Sequence, residues 1–190
     1  MTDRIILASQ SPRRKQLLEW AEQSFEIVVE STDEWFPLDM AVEEVPVFIA
    51  RNKALAVEKK LNDTSATIIA ADTVVVLDKK IIGKPVDRSD AISILLSLSG
   101  QQHQVITGVV IKKGEKEIAF FDITRVAFNE LSREEIEFYI DKYKPYDKAG
   151  AYAIQEWIGV IGIKSIDGDF YNVMGLPVSR VVRAIRQING

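Results

Sequence analysis

The sequence contains no cysteine and one histidine, His103, and these two features remove whole classes of chemistry. Without cysteine there can be no disulfide, no thiolate nucleophile and no zinc–thiolate centre. No nucleophile is evident to pair with His103, so neither a Ser-His-Asp nor a Cys-His set is supported. We therefore expect His103 to be structural.

The sequence also lacks the signals of membrane and nucleic-acid proteins. No apolar run is long enough to span a bilayer and no charged-then-apolar leader is present, so we expect a cytoplasmic protein with no membrane partner. The net charge of −4 argues against a nucleic-acid partner. There is no glycine-rich phosphate loop or dinucleotide fingerprint. A polyanionic substrate must therefore meet local basic residues.

What the chain does contain is ordinary for a globular protein: 190 residues, 47% of them hydrophobic and 27% charged. This length suits one sizeable domain, or a bilobed domain with a cleft. Strand and helix patterns are interspersed, but hairpin patterns also occur. We therefore predict a mixed sheet in an α/β or α+β architecture, not a purely parallel one.

The most unusual stretch is residues 68–76, an apolar, β-branched run interrupted by Asp72 and Thr73. Such a run is typical of a strand buried on both faces. An ionised carboxylate there is costly unless it is paired, hydrogen-bonded or bound to a metal. Either the strand breaks at Asp72 beside a wet cleft, or a cation meets its charge. An ordinary strand end followed by a turn is the remaining interpretation.

A second candidate site lies where the first predicted strand, residues 4–8, leads through Ser9 into a helix. Ser11 suits the N-cap and Pro12 the first helical position. The first turn then holds the cations Arg13 and Arg14, where the helix dipole favours anions. A bound phosphate would relieve this conflict. A solvated basic surface turn explains the pattern equally well.

Three further charged residues are candidates for the same chemistry. Glu34 lies in an acidic loop that could ligate Mg²⁺, although a solvated loop is the commoner case. Lys53 borders the apolar stripe of a helix predicted over residues 44–61 and could reach a cleft or simply be a surface lysine. Lys84, between a glycine and a proline, is one hairpin away from Asp72 along the chain.

The last third of the chain contains one unusual loop. Residues 144–155 mix proline, glycine and small residues with Asp147, Lys148 and Gln155, which indicates an ordered functional loop. A capping box at Ser132 predicts the helix before it. Residues 159–166 and 169–173 are predicted to form a hairpin, followed by a last helix.

Several cations and two carboxylates are left unexplained by local structure, and together they suit a phosphate chain held with a divalent metal. The residues are Arg13, Arg14, Glu34, Lys53, Asp72, Lys84, Lys148 and Gln155. Metal-assisted phosphoanhydride hydrolysis is the reaction class that they favour.

Seven motifs also occur in an order that resembles one known family over nearly the whole chain. They are Ala8-Ser9-Gln10-Ser11-Pro12-Arg13-Arg14, Lys53-Ala54, Ala71-Asp72-Thr73-Val74-Val75, Gly83-Lys84-Pro85, Leu98-Ser99-Gly100 with His103 and Thr107-Gly108, Asp147-Lys148-Ala149-Gly150-Ala151-Tyr152 with Gln155, and Gly175-Leu176-Pro177. Each motif is weak alone, but the joint pattern is specific. It resembles the Maf family of nucleoside triphosphate pyrophosphatases, also called septum-formation inhibitors.

The resemblance implies a single domain over residues 1–190 with a Maf/inosine-triphosphatase-like fold. This is an elongated, two-lobed α/β domain with a mixed twisted sheet and a central cleft. The implied enzyme is a house-cleaning nucleoside triphosphate diphosphatase that uses Mg²⁺ or Mn²⁺ and releases the monophosphate and pyrophosphate. The family also suggests a homodimer.

The resemblance further implies roles for individual residues. Asp72 matches the proton acceptor, and with Glu34 it would hold the metal. Three positions that separate the subgroups resemble the dTTP/UTP enzymes and not the 7-methyl-GTP enzymes, namely Arg13, Thr73 and Gln155. The phosphate-binding residues would be Ser9, Arg14, Lys53, Lys84 and Lys148.

Two departures from the family pattern concern the rim of the base pocket: Glu156-Trp157 follows Gln155, and Tyr146 precedes Asp147. Independently of these departures, two alternatives stay open. One is a non-catalytic nucleotide-binding regulator of septum formation or cell division. The other is an enzyme that acts on modified pyrimidine nucleotides, such as methylated triphosphates.

Overall fold

Residues 4–190 are described by a computed structural model in which strands and helices are interspersed along the chain. The strands are β1 (Ile5–Leu7), β2 (Glu26–Ile27), β3 (Thr67–Leu77), β4 (Lys80–Ile82), β5 (Gln102–Lys113), β6 (Lys116–Phe128) and β7 (Ile163–Asp167). The helices are α1 (Pro12–Trp20), α2 (Val45–Leu61), α3 (Arg88–Leu98), α4 (Arg133–Tyr143), α5 (Trp157–Gly162), α6 (Phe170–Met174) and α7 (Val178–Asn189), with a 3-10 helix at Ala149–Ala151. In this part of the chain, every helix is too short or too polar to cross a membrane.

All the strands belong to one sheet, in the order β2-β1-β3-β5-β6-β7, with β4 paired to β3. Strand β1 runs parallel to both β2 and β3, whereas β4 is antiparallel to β3 and β7 is antiparallel to β6. The sheet is therefore mixed, which confirms the predicted α/β class.

The chain forms two compact units. Of the described residues, the first contains 4–72, 107–122 and 175–190, and the second contains 73–106 and 123–174. One of the crossings between them falls between Asp72 and Thr73, within β3. That the units are lobes around a cleft stays a prediction.

In the first unit, helix α2 packs through a stripe of small and β-branched side chains. Ala50, Ala54 and Val57 are buried together with Ile6 and Ile68 of the sheet, as the helical periodicity predicts. Burying the larger of these side chains contributes about 1.5–3 kcal/mol each. This packing holds α2 on the sheet strands β1 and β3.

The start of α2 contacts β5 so closely that only glycine fits between them. A Cβ atom placed on Gly108 would lie 2.2 Å from the backbone nitrogen of Val47 and 2.3 Å from the carbonyl carbon of Pro46. Real Cβ atoms do not approach backbone this closely. Gly108 therefore sets the position of α2, the helix that carries Lys53.

In the second unit, the hairpin predicted over residues 159–173 is wrong. Strand β7 pairs with β6 instead, with Val126 opposite Ile166. The next segment is helix α6, because the Asp169 carboxylate accepts the backbone N–H of Tyr171 at 2.7 Å. The short apolar run could not distinguish strand from helix, and this cap decides it.

The capping box predicted for α4 is present. The Ser132 hydroxyl accepts the N–H of Glu135 at 3.2 Å, and the Glu135 carboxylate accepts the N–H of Ser132 at 2.7 Å. The helix buries Ile136, Tyr139 and Ile140.

Candidate active site

Asp72 lies in the middle of β3, and the strand continues through it from Thr67 to Leu77. The interpretation of Asp72 as an ordinary strand end is therefore wrong, as is a strand break there. Its side chain is only 14% exposed, and its Oδ1 atom lies 2.7 Å from Nζ of Lys53. A cation thus meets the buried charge, which was the second alternative that the sequence left open. Removing Lys53 would leave the largely desolvated carboxylate of Asp72 without this counterion.

Lys53 is held between two carboxylates and is not a surface lysine. Its side chain is 18% exposed, and Nζ also donates a hydrogen bond of 3.0 Å to Oε1 of Glu34. Glu34 comes from the loop before α2 and is half exposed. The loop and the strand therefore place two carboxylates around the one ammonium nitrogen that the helix provides.

Arg14 and Ser9 form a second polar group in the same unit. Ser11 caps α1 as predicted, and no acidic residue lies in the first turn of this helix. The Arg14 guanidinium donates to the carbonyl of Gly175 at 2.8 Å and to Oγ of Ser9 at 3.2 Å. Ser9 also accepts the N–H of Ser11 at 3.2 Å. These bonds fix the side chain of a cation at a helix start that favours anions.

The electrostatics link this group to Asp72. Burial lowers the pKa of Arg14 below its ordinary value, and the negative charge of Asp72 opposes that shift. The positive charge of Arg13 lowers the pKa of Arg14 further. The first unit therefore brings together Ser9, Arg13, Arg14, Glu34, Lys53 and Asp72.

The residues of the second unit occupy two neighbouring loops and one strand. Thr73 is partly buried in β3, and Lys84 is exposed after β4, which pairs antiparallel with β3 as predicted. The N–H of Gly150 donates to the carbonyl of Gly83 at 3.1 Å, so the loops that carry Lys84 and Lys148 are adjacent. Gly150 has a φ of +70° and would overlap Val75 if it carried a Cβ atom.

Lys148 is buried, and its Nζ lies 2.8 Å from Oδ1 of Asp147 and 3.7 Å from Oε1 of Glu156. Gln155, in contrast, is exposed. The loop is therefore ordered, as predicted, and two carboxylates contact its lysine.

In each of the two units, a contact was found that carried no signal in the sequence. The carbonyl of Gly175 orients Arg14 through a bond that spans 161 residues of the chain. The hydroxyl of Tyr139, on α4, contacts both Ala153 and Glu156. Tyr139 was not singled out from the sequence, because it looks like any other core residue of a helix. Glu156 was noted as a departure from the family pattern, and this was the available signal.

His103 is structural, as expected. It is 1% exposed, its Nε2 atom lies 2.7 Å from the hydroxyl of Tyr152, and its ring packs edge-on against Phe128. Burial lowers its pKa to about 4. The ring is therefore neutral at pH 7 and belongs to an aromatic cluster.

The carboxylates of Glu34 and Asp72 fit a hard divalent cation. Both lie within 3.0 Å of the same Lys53 nitrogen, so both reach one cationic position. Residues 4–190 contain no group of three or more His, Asp or Glu residues arranged around a possible metal position. Mg²⁺ is commonly held by one or two carboxylates together with water and substrate phosphates.

Comparisons with known proteins give a consistent result. The family model described as Maf-like protein matches residues 4–188. A relative from Cytophaga hutchinsonii, named dTTP/UTP pyrophosphatase, is 50% identical over 97% of this chain and 84% of its own length. A relative of the same name from Bacteroides thetaiotaomicron is 46% identical over 97% of this chain and 95% of its own.

Among solved structures, the Ham1 protein of Staphylococcus aureus aligns over 99% of this chain and 100% of its own. The TM-score is 0.48 and the sequence identity is 16%.

Proposed function

Because the chain belongs to the Maf-like protein family, we propose that it is a pyrophosphatase that hydrolyses dTTP and UTP to the nucleoside monophosphate and pyrophosphate. The names of relatives that are 46% and 50% identical over 97% of the chain support this substrate class. The same relatives favour an enzyme over a non-catalytic regulator.

The observation that carries the proposal is the contact between Lys53 and Asp72. Within one unit, the ammonium lies 2.7 Å from the carboxylate, and Arg14 is close enough for Asp72 to influence its pKa. Cations beside a poised carboxylate are what hydrolysis of a triphosphate requires, because negative charge develops on the leaving group.

The reaction assigned to these groups is attack of water on the α-phosphorus. The water oxygen bonds to the α-phosphorus, and Asp72 accepts a proton from this water. The bond between the α-phosphorus and the bridging oxygen to the β-phosphorus breaks, and pyrophosphate leaves with the electron pair. Lys53 and Arg14 stabilise the charge on the leaving pyrophosphate, with Ser9 as a hydrogen-bonding partner. We also assign Lys84 and Lys148 to phosphate binding.

Glu34 and Asp72 would hold Mg²⁺ or Mn²⁺. When bound, the cation supplies positive charge against the phosphate oxygens and lowers the cost of bringing them to two carboxylates. In the structure, the positive charge beside the two carboxylates is that of Lys53.

Base selection is assigned to Arg13, Thr73 and Gln155. The hydroxyl and the amide would hydrogen-bond the edge of a uracil or thymine ring. A base with a different pattern of donors and acceptors would leave these groups unpaired, which is a strong source of discrimination.

The test is pyrophosphate release from dTTP, UTP, CTP, ATP, GTP and methylated pyrimidine triphosphates, with Mg²⁺ or Mn²⁺ and with a chelator. Release that is fastest with dTTP and UTP and lost with the chelator supports the proposal. Nucleotide binding without release would identify the non-catalytic regulator instead. A preference for methylated pyrimidines would identify the modified-nucleotide enzyme. The homodimer and the cytoplasmic location stay predictions.

A further inference from the structure

The buried hydroxyl of Tyr139 ties helix α4 to the residues on either side of Gln155. Tyr139 is 0% exposed, and its hydroxyl accepts the backbone N–H of Ala153 at 3.1 Å. The same hydroxyl donates a hydrogen bond to Oε2 of Glu156. One side chain therefore satisfies groups at both ends of residues 153–156, a segment we call the 153–156 turn.

The rest of this turn is equally constrained. The N–H of Glu156 donates to the carbonyl of Ala153 at 3.1 Å, and the second Glu156 oxygen lies 3.7 Å from the Lys148 ammonium. Ile154 is only 4% exposed. A Cβ atom on Gly159 would lie 1.7 Å from the Ile154 carbonyl oxygen, so the chain after the turn is packed against it. Gln155 is therefore the exposed residue of a turn whose other residues are held by hydrogen bonds and packing.

We infer that Tyr139 and Glu156 are positioning residues that determine which pyrimidine Gln155 accepts. The inference rests on the proposed function for the role of Gln155, and it adds two residues that contact no substrate.

The reason is that the two ends of the glutamine amide have nearly the same shape but opposite hydrogen-bonding roles. Its carbonyl accepts and its NH₂ group donates, so turning the amide over exchanges the two. Uracil and thymine present an N–H donor beside a carbonyl acceptor, whereas cytosine presents a ring-nitrogen acceptor beside an amino donor. An amide held in one orientation accepts one pattern and leaves unpaired groups with the other. An amide on a loosened turn can meet either base, so cytosine is no longer rejected.

Tyr139→Phe removes the hydroxyl with no change in ring packing, and it is the first test. The matched control is Tyr143→Phe, because Tyr143 stacks on Tyr139 from the same helix at 5.0 Å between ring centroids. The readout is the ratio of Kd values for the non-hydrolysable α,β-methylene analogues of UTP and CTP. We expect Tyr139→Phe to reduce the preference for the uracil analogue about threefold to tenfold, the range of one or two lost hydrogen bonds. Tyr143→Phe should keep it.

A pair of variants at Glu156 provides an independent test. Glu156→Gln keeps an oxygen that accepts from Tyr139, whereas Glu156→Ala does not. The preference should therefore fall in Glu156→Ala and be largely retained in Glu156→Gln. Gln155→Ala gives the reference value for a protein that has lost the amide altogether.

Hydrogen exchange of the Ala153 amide, measured without nucleotide, separates positioning from general damage. Faster exchange in Tyr139→Phe together with a lower binding ratio supports the inference. Unchanged exchange, or faster exchange with an unchanged ratio, overturns it. If wild-type protein releases no pyrophosphate from any triphosphate, the proposed function fails, and the binding ratio still decides the role of Tyr139.

Discussion

The ammonium nitrogen of Lys53 lies 2.7 Å from Oδ1 of Asp72, which joins the middle of helix α2 to the middle of strand β3. The two residues are 19 positions apart along the chain. A carboxylate without a partner would be costly in this apolar strand. It is stabilised because Lys53 of the helix contacts it. Under the proposed function, the same contact pairs the proton acceptor with a cation that stabilises the leaving group.

Asp72→Asn should abolish most of the activity with little effect on folding. The amide keeps the size of the side chain and an oxygen for Lys53, but it cannot accept a proton. We expect kcat for pyrophosphate release from UTP to fall about 10²- to 10⁴-fold. The control is Asp78→Asn, at an exposed turn position with a φ of +49° that asparagine tolerates well. Near wild-type turnover by Asp72→Asn would rule out its role as proton acceptor.

Lys53→Met should bind Mn²⁺ more tightly in the absence of nucleotide. The ammonium contacts both Asp72 and Glu34, so it competes with any cation for the same oxygens. We expect the Kd for Mn²⁺, measured by calorimetry, to fall at least about tenfold, or ~1.4 kcal/mol. Pyrophosphate release should fall at the same time, because the leaving group loses a cation.

The control for this experiment is Lys60→Met. Lys60 lies on the same helix and pairs with Glu30 at 2.9 Å, so its loss changes the net charge equally. Equal or weaker Mn²⁺ binding by Lys53→Met than by Lys60→Met would show that the two carboxylates do not form the cation site.

The stability of the protein should fall in mild acid because of His103. Its pKa is about 4 in the folded protein and about 6.5 in an unfolded chain. Between these values the unfolded chain binds a proton that the folded protein does not, so stability falls as the pH drops from about 6.5 towards 4. At pH 5 the loss is about 2 kcal/mol.

This contribution is measured by urea unfolding at pH 7 and pH 5. In His103→Gln the decrease in the free energy of unfolding between the two pH values should be about 2 kcal/mol smaller than in wild type. Equal pH dependence in the two proteins would mean that His103 binds its proton equally well in both states.

Gly108→Ala should destabilise the protein and displace Lys53. The added methyl group would lie 2.2 Å from backbone of α2, and backbone cannot move aside as a side-chain end can. We expect a loss of at least about 2 kcal/mol in the free energy of unfolding, with a lower kcat. Gly83→Ala is the matched control for stability, since a Cβ atom there has no neighbour within 4 Å. Equal unfolding midpoints for the two variants would contradict this account of the contact.

Much of the local structure could be predicted because its causes lie within a few residues. The cap at Ser11, the capping box at Ser132 and the stripe on α2 each depend on neighbours one or two turns away. The charged residue in an apolar strand was also visible, because the composition of β3 alone makes Asp72 costly without a partner.

The partners themselves could not be predicted from spacing. The sequence contains 24 lysine and arginine residues, and nothing in it selects Lys53 as the one that meets Asp72. Lys53 meets Asp72 because α2 packs closely on the sheet, where Gly108 of β5 allows the two backbones to touch. Likewise, a tyrosine on the buried face of α4 is indistinguishable from other core residues until the chain returns and places Ala153 and Glu156 on its hydroxyl.

The sequence by itself therefore indicated most of the strands and helices, with the exception of the helices α5 and α6 within residues 157–174, and which charges needed an explanation. The tertiary structure decided which of those charges meet, because hydrogen bonds and ion pairs between distant residues depend on helix positions that only close packing sets.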